Sequence, residues 1–381
     1  MWTVPARILP PQPPKLPTPL TRYCRKISRT RCKRMLETLE KETQLTQEAH
    51  RLYGLLNSVS KTNCANWTYE DCLAAAPYTL SINRFKKEKN AVILAHSYTT
   101  PDLVYGVADY RGDSYELAQK ARECSADIII FAGVWFMAET AKIINPSKTV
   151  LIPAGHAGCS LADSMTGEDV KKLRAAHPGV PCLCYINSTA EVKAQCDSCV
   201  TSGNVYDIAQ KMPGDELIFV PDTLMAQNLD AELKRRGTPK KIISAGGTCC
   251  VHDKYSAENV DALRAEHPGI RVVAHPECPI SVCEKCDYVG STKGMASYVA
   301  GSDGKLFGML TEFGLVNRMQ AEHPDKQFIW PFGTCSYMKQ NTLANTLEAL
   351  VDPRPEQLVQ VDEKIALAAK KSIDKMFELA Q

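Results

Sequence analysis

Cys159, Cys249 and Cys335 carry the strongest chemical signal in the chain. Each follows a strand-like run that breaks at glycine: residues 152–159 read Ile-Pro-Ala-Gly-His-Ala-Gly-Cys, residues 243–249 Ile-Ser-Ala-Gly-Gly-Thr-Cys, and residues 329–335 Ile-Trp-Pro-Phe-Gly-Thr-Cys. At one fixed spacing after each cysteine comes a hydroxyl, Thr166, Ser256 or Thr342, and then Asp169, Asn259 or Asn345. That pairing has the spacing of a capping box at the head of a helix. If the three turns meet, three thiolates suit a soft metal or an iron–sulfur cluster. A [4Fe–4S] cube held by three cysteines leaves one iron without a protein ligand, a Lewis acid open to substrate.

A second set of residues follows from strand geometry. His96 and Tyr98, Tyr185 and Asn187, and His275 and Glu277 each stand two apart at the end of an apolar run. Side chains two apart on an extended strand point to the same side, so three polar pairs are expected to face one place.

These groups sit in a repeating frame. Residues 166–180 match residues 256–270 without a gap, through Thr-Gly-Glu-Asp-Val and Ser-Ala-Glu-Asn-Val to the two His-Pro-Gly turns at His177 and His267. Such self-similarity marks a duplicated supersecondary unit. First strands are read at 91–95, 181–187 and 272–277, and runs beginning at Asp127, Asp197 and Asp287 are equated with one another. Third strands are read at 148–152, 240–243 and 327–330. Strands alternating with helices mean parallel sheets with right-handed crossovers. The expected fold is α/β: three pseudo-threefold-related small domains, each a parallel sheet flanked by helices, with the active site and cluster at the central axis. Their expected spans are 69–158, 159–248 and 249–335. Helices within 336–381 are expected to pack back on the first, and 1–68 to form a basic Pro-rich tail and helix, partly disordered.

The composition suits that frame. A chain of 381 residues exceeds one ordinary core, and 44% hydrophobic with 23% charged residues is typical of globular proteins. A net charge of +2 argues against nucleic acid or a membrane surface as the main partner. No apolar run approaches the ~18 residues of a membrane span. Sixteen cysteines in a long chain without a secretory pattern point to a reducing compartment, the cytoplasm, with thiols buried or ligating. Up to Arg34 there is no acidic residue, and prolines crowd positions 10–19. This reads as a tail or an upstream start codon, the alternative being an organelle transit peptide. A helix is expected from Arg34 to Leu56.

Other signals compete. Cys196/Cys199 and Cys283/Cys286 have the spacing of zinc knuckles. Only one member of each pair belongs to the repeat, so they are read as structural or incidental rather than metal-binding. Cys250 beside Cys249 is read as a bystander. His177, His267 and His323 precede proline at helix ends, as caps, whereas His96, His252 and His275 are read as functional. No dinucleotide or Walker pattern occurs.

The motifs His96-Ser-Tyr98, Gly112-Asp-Ser114, Tyr185-Ile-Asn187-Ser-Thr, Thr201-Ser202-Gly-Asn, Cys249-Cys-Val-His252, His275-Pro-Glu-Cys, Val289-Gly-Ser-Thr292 and Met338-Lys-Gln-Asn-Thr-Leu resemble, in order, those of the quinolinate synthase family. The resemblance runs from about Lys86 to the C-terminus. It implies a transferase of NAD biosynthesis that condenses iminoaspartate with dihydroxyacetone phosphate to quinolinate, releasing phosphate and two waters. It also implies one [4Fe–4S] cluster per chain on Cys159, Cys249 and Cys335, and functional coupling to aspartate oxidase. Pocket residues carry over to His96, Tyr98, Ser114, Tyr185, Asn187, Ser202, His252, His275, Glu277 and Thr292. Glu277, the one carboxylate of the polar pairs, is the expected general acid or base. His96, Tyr98, His275, Tyr185 and Asn187 are expected to assist it. Ser114, Ser202 and Thr292, at helix starts, suit carboxylate or phosphate oxygens. Two other readings stand beside this one: another iron–sulfur hydro-lyase, or a non-catalytic protein with a structural zinc or redox-sensing thiols.

Overall fold

The computed structural model describes residues 29–57 and 67–380. Residues from Glu48 onward form one compact unit, and those before it a separate one. The expected tail falls largely outside the described residues. The first helix begins earlier than expected and spans Arg29–Leu56.

Three four-stranded sheets, all parallel, follow one another along the chain. The first contains β1 (Ala91–His96), β2 (Tyr110–Gly112), β3 (Ile128–Ala132) and β4 (Thr149–Leu151), in the order β2-β1-β3-β4. The second holds β5 (Cys182–Tyr185), β6 (Ser198–Val200), β7 (Glu216–Val220) and β8 (Lys241–Ser244), and the third β9 (Arg271–Ala274), β10 (Tyr288–Val289), β11 (Leu306–Leu310) and β12 (Gln327–Ile329). Both repeat that order, β6-β5-β7-β8 and β10-β9-β11-β12. In each sheet the chain steps out to one side of the first strand and then to the other. Ligands of open α/β sheets collect outside the carboxyl ends of strands at such a reversal.

The frame corrects the sequence reading in two places. Each sheet has four strands rather than three: the additional one is β2 (Tyr-Arg-Gly) in the first, β7 (Glu-Leu-Ile-Phe-Val) in the second and β11 (Leu-Phe-Gly-Met-Leu) in the third. The equation of Asp127 with Asp197 and Asp287 is also one strand out of step. Asp197 Oδ2 accepts the N–H of Cys182 at 2.8 Å, and Asp287 Oδ2 that of Val272 at 2.7 Å. The residue that does this for β1 is Asp109, which accepts from Ile93 N at 2.8 Å. Asp109 precedes the short strand Tyr-Arg-Gly, which has no apolar run to betray it.

Helix starts follow the sequence closely. Thr166 and Asp169 exchange backbone and side-chain hydrogen bonds at the head of Gly167–Ala176, and Thr342 and Asn345 do so before Leu343–Val351. Ser256 N donates to Asn259 Oδ1 at 2.9 Å at the head of the equivalent helix Ala257–Glu266. Of the two C-terminal helices, Leu343–Val351 lies against Tyr69–Glu88 and β3. The last, Glu363–Leu379, departs from expectation. It packs mainly on β6 and the short helix Ala190–Lys193 of the second sheet, with a lesser contact to Trp135–Ile144. Its apolar face of Ala369, Ile373, Met376 and Phe377 is buried there, and Ser372 Oγ donates to Lys193 O at 2.9 Å. Among the described residues no helix is long and apolar enough to cross a membrane.

Candidate functional site

One cavity gathers all thirteen residues singled out from the sequence: the three cysteines, the three polar pairs, and Ser114, Ser202, His252 and Thr292. Its empty space is about 650 Å³, open solvent at the mouth included.

The polar pairs arrive from the ends of the three first strands, but not along extended strand as expected: β1 ends at His96, β5 at Tyr185 and β9 at Ala274, so the turns that follow aim Tyr98, Asn187, His275 and Glu277. On β1 and just beyond β9 they are built alike. Tyr98 N donates to His96 Nδ1 at 3.2 Å, and Glu277 N donates to His275 Nδ1 at 3.3 Å. With Nδ1 occupied as an acceptor, each neutral ring carries its proton on Nε2. From His275 that proton reaches Ser202 Oγ at 3.2 Å. Burial keeps both rings neutral: it lowers His96 to about 3, reinforced by the Lys339 ammonium, and His275 to about 3 despite the pull of Glu277.

Glu277 is the hub. Tyr185 Oη donates to its Oε1 at 2.6 Å and Asn187 Nδ2 to the same oxygen at 3.3 Å, while His252 Nδ1 lies 2.7 Å from Oε2. Burial alone would raise its pKa. The electrostatic pull of His275 and His252 and the hydrogen bonds from His252 and Tyr185 outweigh burial, so Glu277 stays ionised below the ordinary carboxylate range. Tyr98 and Tyr185 are pushed well above the usual phenol range by burial, and remain donors.

From Glu277 a single file of hydrogen bonds leaves through His252. His252 Nε2 meets Thr311 Oγ1 at 3.2 Å, Thr311 Oγ1 meets Tyr98 Oη at 3.1 Å, and Tyr98 Oη meets Thr292 Oγ1 at 3.0 Å. Thr311 is wholly buried, and its carbonyl is fixed by Tyr255 Oη and Trp330 Nε1. Sequence reasoning missed it, and for the same reason missed Asp222 and Glu312. All three follow β7 or β11, and a largely apolar five-residue run followed by Thr-Glu or Pro-Asp was the available signal. Asp222 caps Thr223–Arg235, and Glu312 caps Phe313–Glu322. Glu312 Oε1 also accepts the N–H of Cys335 at 3.1 Å and pairs with Lys339 at 2.9 Å. Asn228 was missed as well; its Nδ2 donates to Pro276 O at 2.8 Å and Cys278 O at 2.9 Å, clamping the turn that carries Glu277.

The three cysteines are free and half-buried. Each sulfur is approached by the backbone N–H groups two and three residues on: Leu161 and Ala162 for Cys159, Val251 and His252 for Cys249, Tyr337 and Met338 for Cys335. The same turn is thus built three times. Burial nevertheless raises Cys159 to about 12, Cys335 to about 11 and Cys249 well above the thiol range.

The comparisons with known proteins bear on this cavity. Residues 80–378 match the family model described as Quinolinate synthetase A protein. The chain belongs to that family. The quinolinate synthase of Xylella fastidiosa (strain Temecula1) is 46% identical over 299 residues, 78% of this chain and 86% of the relative. The quinolinate synthase of Agrobacterium fabrum is 45% identical over 299 residues, covering 78% and 85% of the two chains, and that of Sinorhizobium fredii 44% over 308 residues, covering 81% and 84%.

Membership in the quinolinate synthetase A family raises the question of an iron–sulfur group, and the donor set fits one. Among the described residues, the one trio of ligand atoms within 4.8 Å of each other is drawn from Cys249, His252 and Glu277. The three cysteine sulfurs are therefore not all that close, whereas sulfurs sharing one tetrahedral zinc stand about 3.8 Å apart. Three thiols so spread, each in a nest of backbone N–H groups, suit a larger anionic inorganic group better than a single ion. The Cys249–His252–Glu277 trio needs no ion, since His252 Nδ1 lies 3.3 Å from Cys249 Sγ as well as 2.7 Å from Glu277. The CxxC pairs do not form a three-ligand group among the described residues.

Proposed function

We propose that the protein condenses iminoaspartate with dihydroxyacetone phosphate to quinolinate, releasing phosphate and two waters, in the reducing cytoplasm, with aspartate oxidase as the supplier of iminoaspartate. The observation that carries this reading is the meeting of three equivalent cysteine turns and three polar strand ends at one cavity in a chain of this family. Cys159, Cys249 and Cys335 would hold a [4Fe–4S] cluster, which when bound supplies one iron open to a substrate oxygen and so a Lewis acid for the dehydrations.

The remaining work falls to the chain's own residues. Ionised Glu277 takes a proton from the carbon next to the one that loses its hydroxyl, and His252 and Tyr185, which share its oxygens, steady the carboxylate between transfers. The Nε2–H groups of His96 and His275 are donors that suit a carbonyl or carboxylate oxygen. Ser114 opens the helix Ser114–Glu123, and Thr292 opens Thr292–Gly301. With Ser202 they offer hydroxyls beside helix N-termini or turns for the acidic ends of the substrates.

Two measurements test this. Anaerobically purified protein should contain about four iron and four acid-labile sulfide per chain, falling sharply in Cys159→Ser. Glu277→Gln should lose at least about 100-fold in quinolinate formation with iron and sulfide unchanged. Zinc without sulfide would overturn the cluster, a single iron per chain would favour the Cys249–His252–Glu277 trio, and full turnover in Glu277→Gln would remove its assigned role.

A further inference from the structure

The second unit holds four thiols that the cavity does not use. Cys182 and Cys184 lie on β5, and Cys196 and Cys199 lie before and within β6. Their sulfurs form a connected chain. Cys182 Sγ is 3.5 Å from Cys196 Sγ, the thiol of Cys184 is in hydrogen-bond contact with those of Cys196 and Cys199, and Cys199 Sγ meets Ser372 Oγ at 3.4 Å. The CxxC spacing therefore misleads about partners: the sulfur against Cys196 is that of Cys182, across the turn between the two strands. Asp197 N donates to Cys182 O at 2.9 Å, which sets the two backbones side by side.

A wholly buried lysine stands in the same place. Lys193 Nζ donates to Ser188 O at 2.5 Å and lies 5.3 Å from the Phe136 ring; against the cost of burial, hydrogen bonds with Cys196 and Cys199 and then the Lys193 charge favour a thiolate on Cys184. An ammonium there opposes a second cation, and among the described residues no three of these sulfurs come within 4.8 Å of each other. Metal binding is disfavoured on both counts. Hydrogen bonds with Cys182 and Cys184 and burial push the Cys196 thiol well above its ordinary range, so what favours thiol–disulfide chemistry at this pair is the short approach of its two sulfurs. The two sulfurs must close from 3.5 Å to about 2.05 Å, a movement of side chains on backbones already adjacent. Cys196 is half-buried and Cys182 is covered, so the first can meet a solute and the second resolve the product.

We propose that Cys182 and Cys196 form a modification site at which a low-molecular-weight disulfide oxidises the pair to an intramolecular disulfide. The Cys196 thiolate attacks one sulfur of the small disulfide, breaks its S–S bond and releases one thiol equivalent. The Cys182 sulfur then attacks Cys196 Sγ in the mixed disulfide and expels the second; the protons of the two protein thiols leave on the two small thiols. Two protein thiols are oxidised and one small disulfide is reduced. This site stands apart from the reading of the cavity, and neither depends on the other.

The test uses cluster-loaded, folded protein held without oxygen, treated with oxidised glutathione, alkylated and digested with trypsin. Cys182 falls in the fragment 175–193 and Cys196 in 194–211, so the bond joins two separable peptides. The expected product is the 175–193/194–211 pair in more than half of the chains, placed on Cys182 and Cys196 by fragmentation and reversed by dithiothreitol. It should survive in Cys184→Ser and Cys199→Ser, vanish in Cys196→Ser, and give way in Cys182→Ser to a glutathione adduct on Cys196. A loop within 194–211, a cross-link that persists in Cys182→Ser, or four thiols that all remain alkylated in the wild type would each overturn the proposal.

Discussion

Thr311 joins the two halves of the cavity chemically. Without its hydroxyl, Tyr98 Oη and His252 Nε2 lose their common partner, and the file from Thr292 to Glu277 is cut in the middle. Thr311→Val keeps the shape of the side chain, so quinolinate formation is expected to fall about 10- to 100-fold with iron and sulfide content unchanged. A full rate in that variant would show the file to be packing alone. The buried rings also set the acid side of stability. His96 and His275 titrate near 3 in the folded chain against about 6.5 unfolded. Between those values the unfolded chain binds more protons, so acidification from 6.5 toward 3 costs about 1.4 kcal/mol per pH unit for each ring. Glu277, held low, adds a loss that begins only below about pH 4.3. Unfolding free energies across pH 7 to 4 in wild type and in His96→Asn should show the slope flattening in the variant. The polar pairs and cysteines were legible in the sequence because each set recurs at the end of an apolar run or after a glycine turn, and such repetition is a local property, although turns and not strand alternation aim Tyr98, Asn187, His275 and Glu277. Thr311 and Asn228 were not, since what defines them is a partner reached only through the fold.

At the level of elements, the cysteine turns depend on glycine where the backbone enters the left-handed region. Gly246 has φ +127°, and a Cβ there would run into the Pro221 carbonyl; Gly333 has φ +120°, and a Cβ would meet the Tyr255 hydroxyl. Gly246→Ala and Gly333→Ala are each expected to cost at least about 2 kcal/mol in urea unfolding and to lower iron content, with Gly247→Ala less severe because only the Ser164 side chain must move. Thr342→Ala removes one side of a capping box and should cost about 1 kcal/mol without touching the iron. The capping boxes were visible as Thr-x-x-Asp and Thr-x-x-Asn, and the first strands as apolar runs. The offset at Asp127 came from following the apolar run instead of the carboxylate's task. Asp109, Asp197 and Asp287 are equivalent because each accepts a first-strand N–H, and β2, which follows Asp109, is too short and exposed to announce itself.

Across the whole molecule, the last helix ties the end of the chain to its middle. Ala369, Ile373, Met376 and Phe377 bury an apolar face on the second sheet's side, each large side chain contributing about 1.5–3 kcal/mol. A chain ending before Glu363 is expected to melt on the order of 10 °C lower, and an unchanged melting temperature would mean that this seam contributes little. The threefold frame itself was readable from the duplication of 166–180 in 256–270. The seat of the last helix was not, because its apolar stripe fits any sheet flank.

The thrice-built cysteine turn leads further. Each turn folds on its own sheet, from its own glycines and its own backbone donors, so no turn encodes its distance from the other two. That distance is written only in how the sheets meet. A substitution at a seam, remote from every sulfur and neutral to each sheet, can spread the three anchorages apart and leave a well-folded protein that no longer grips its inorganic cargo. Loss of iron in a variant is thus a gauge of alignment between parts as much as a report on ligands.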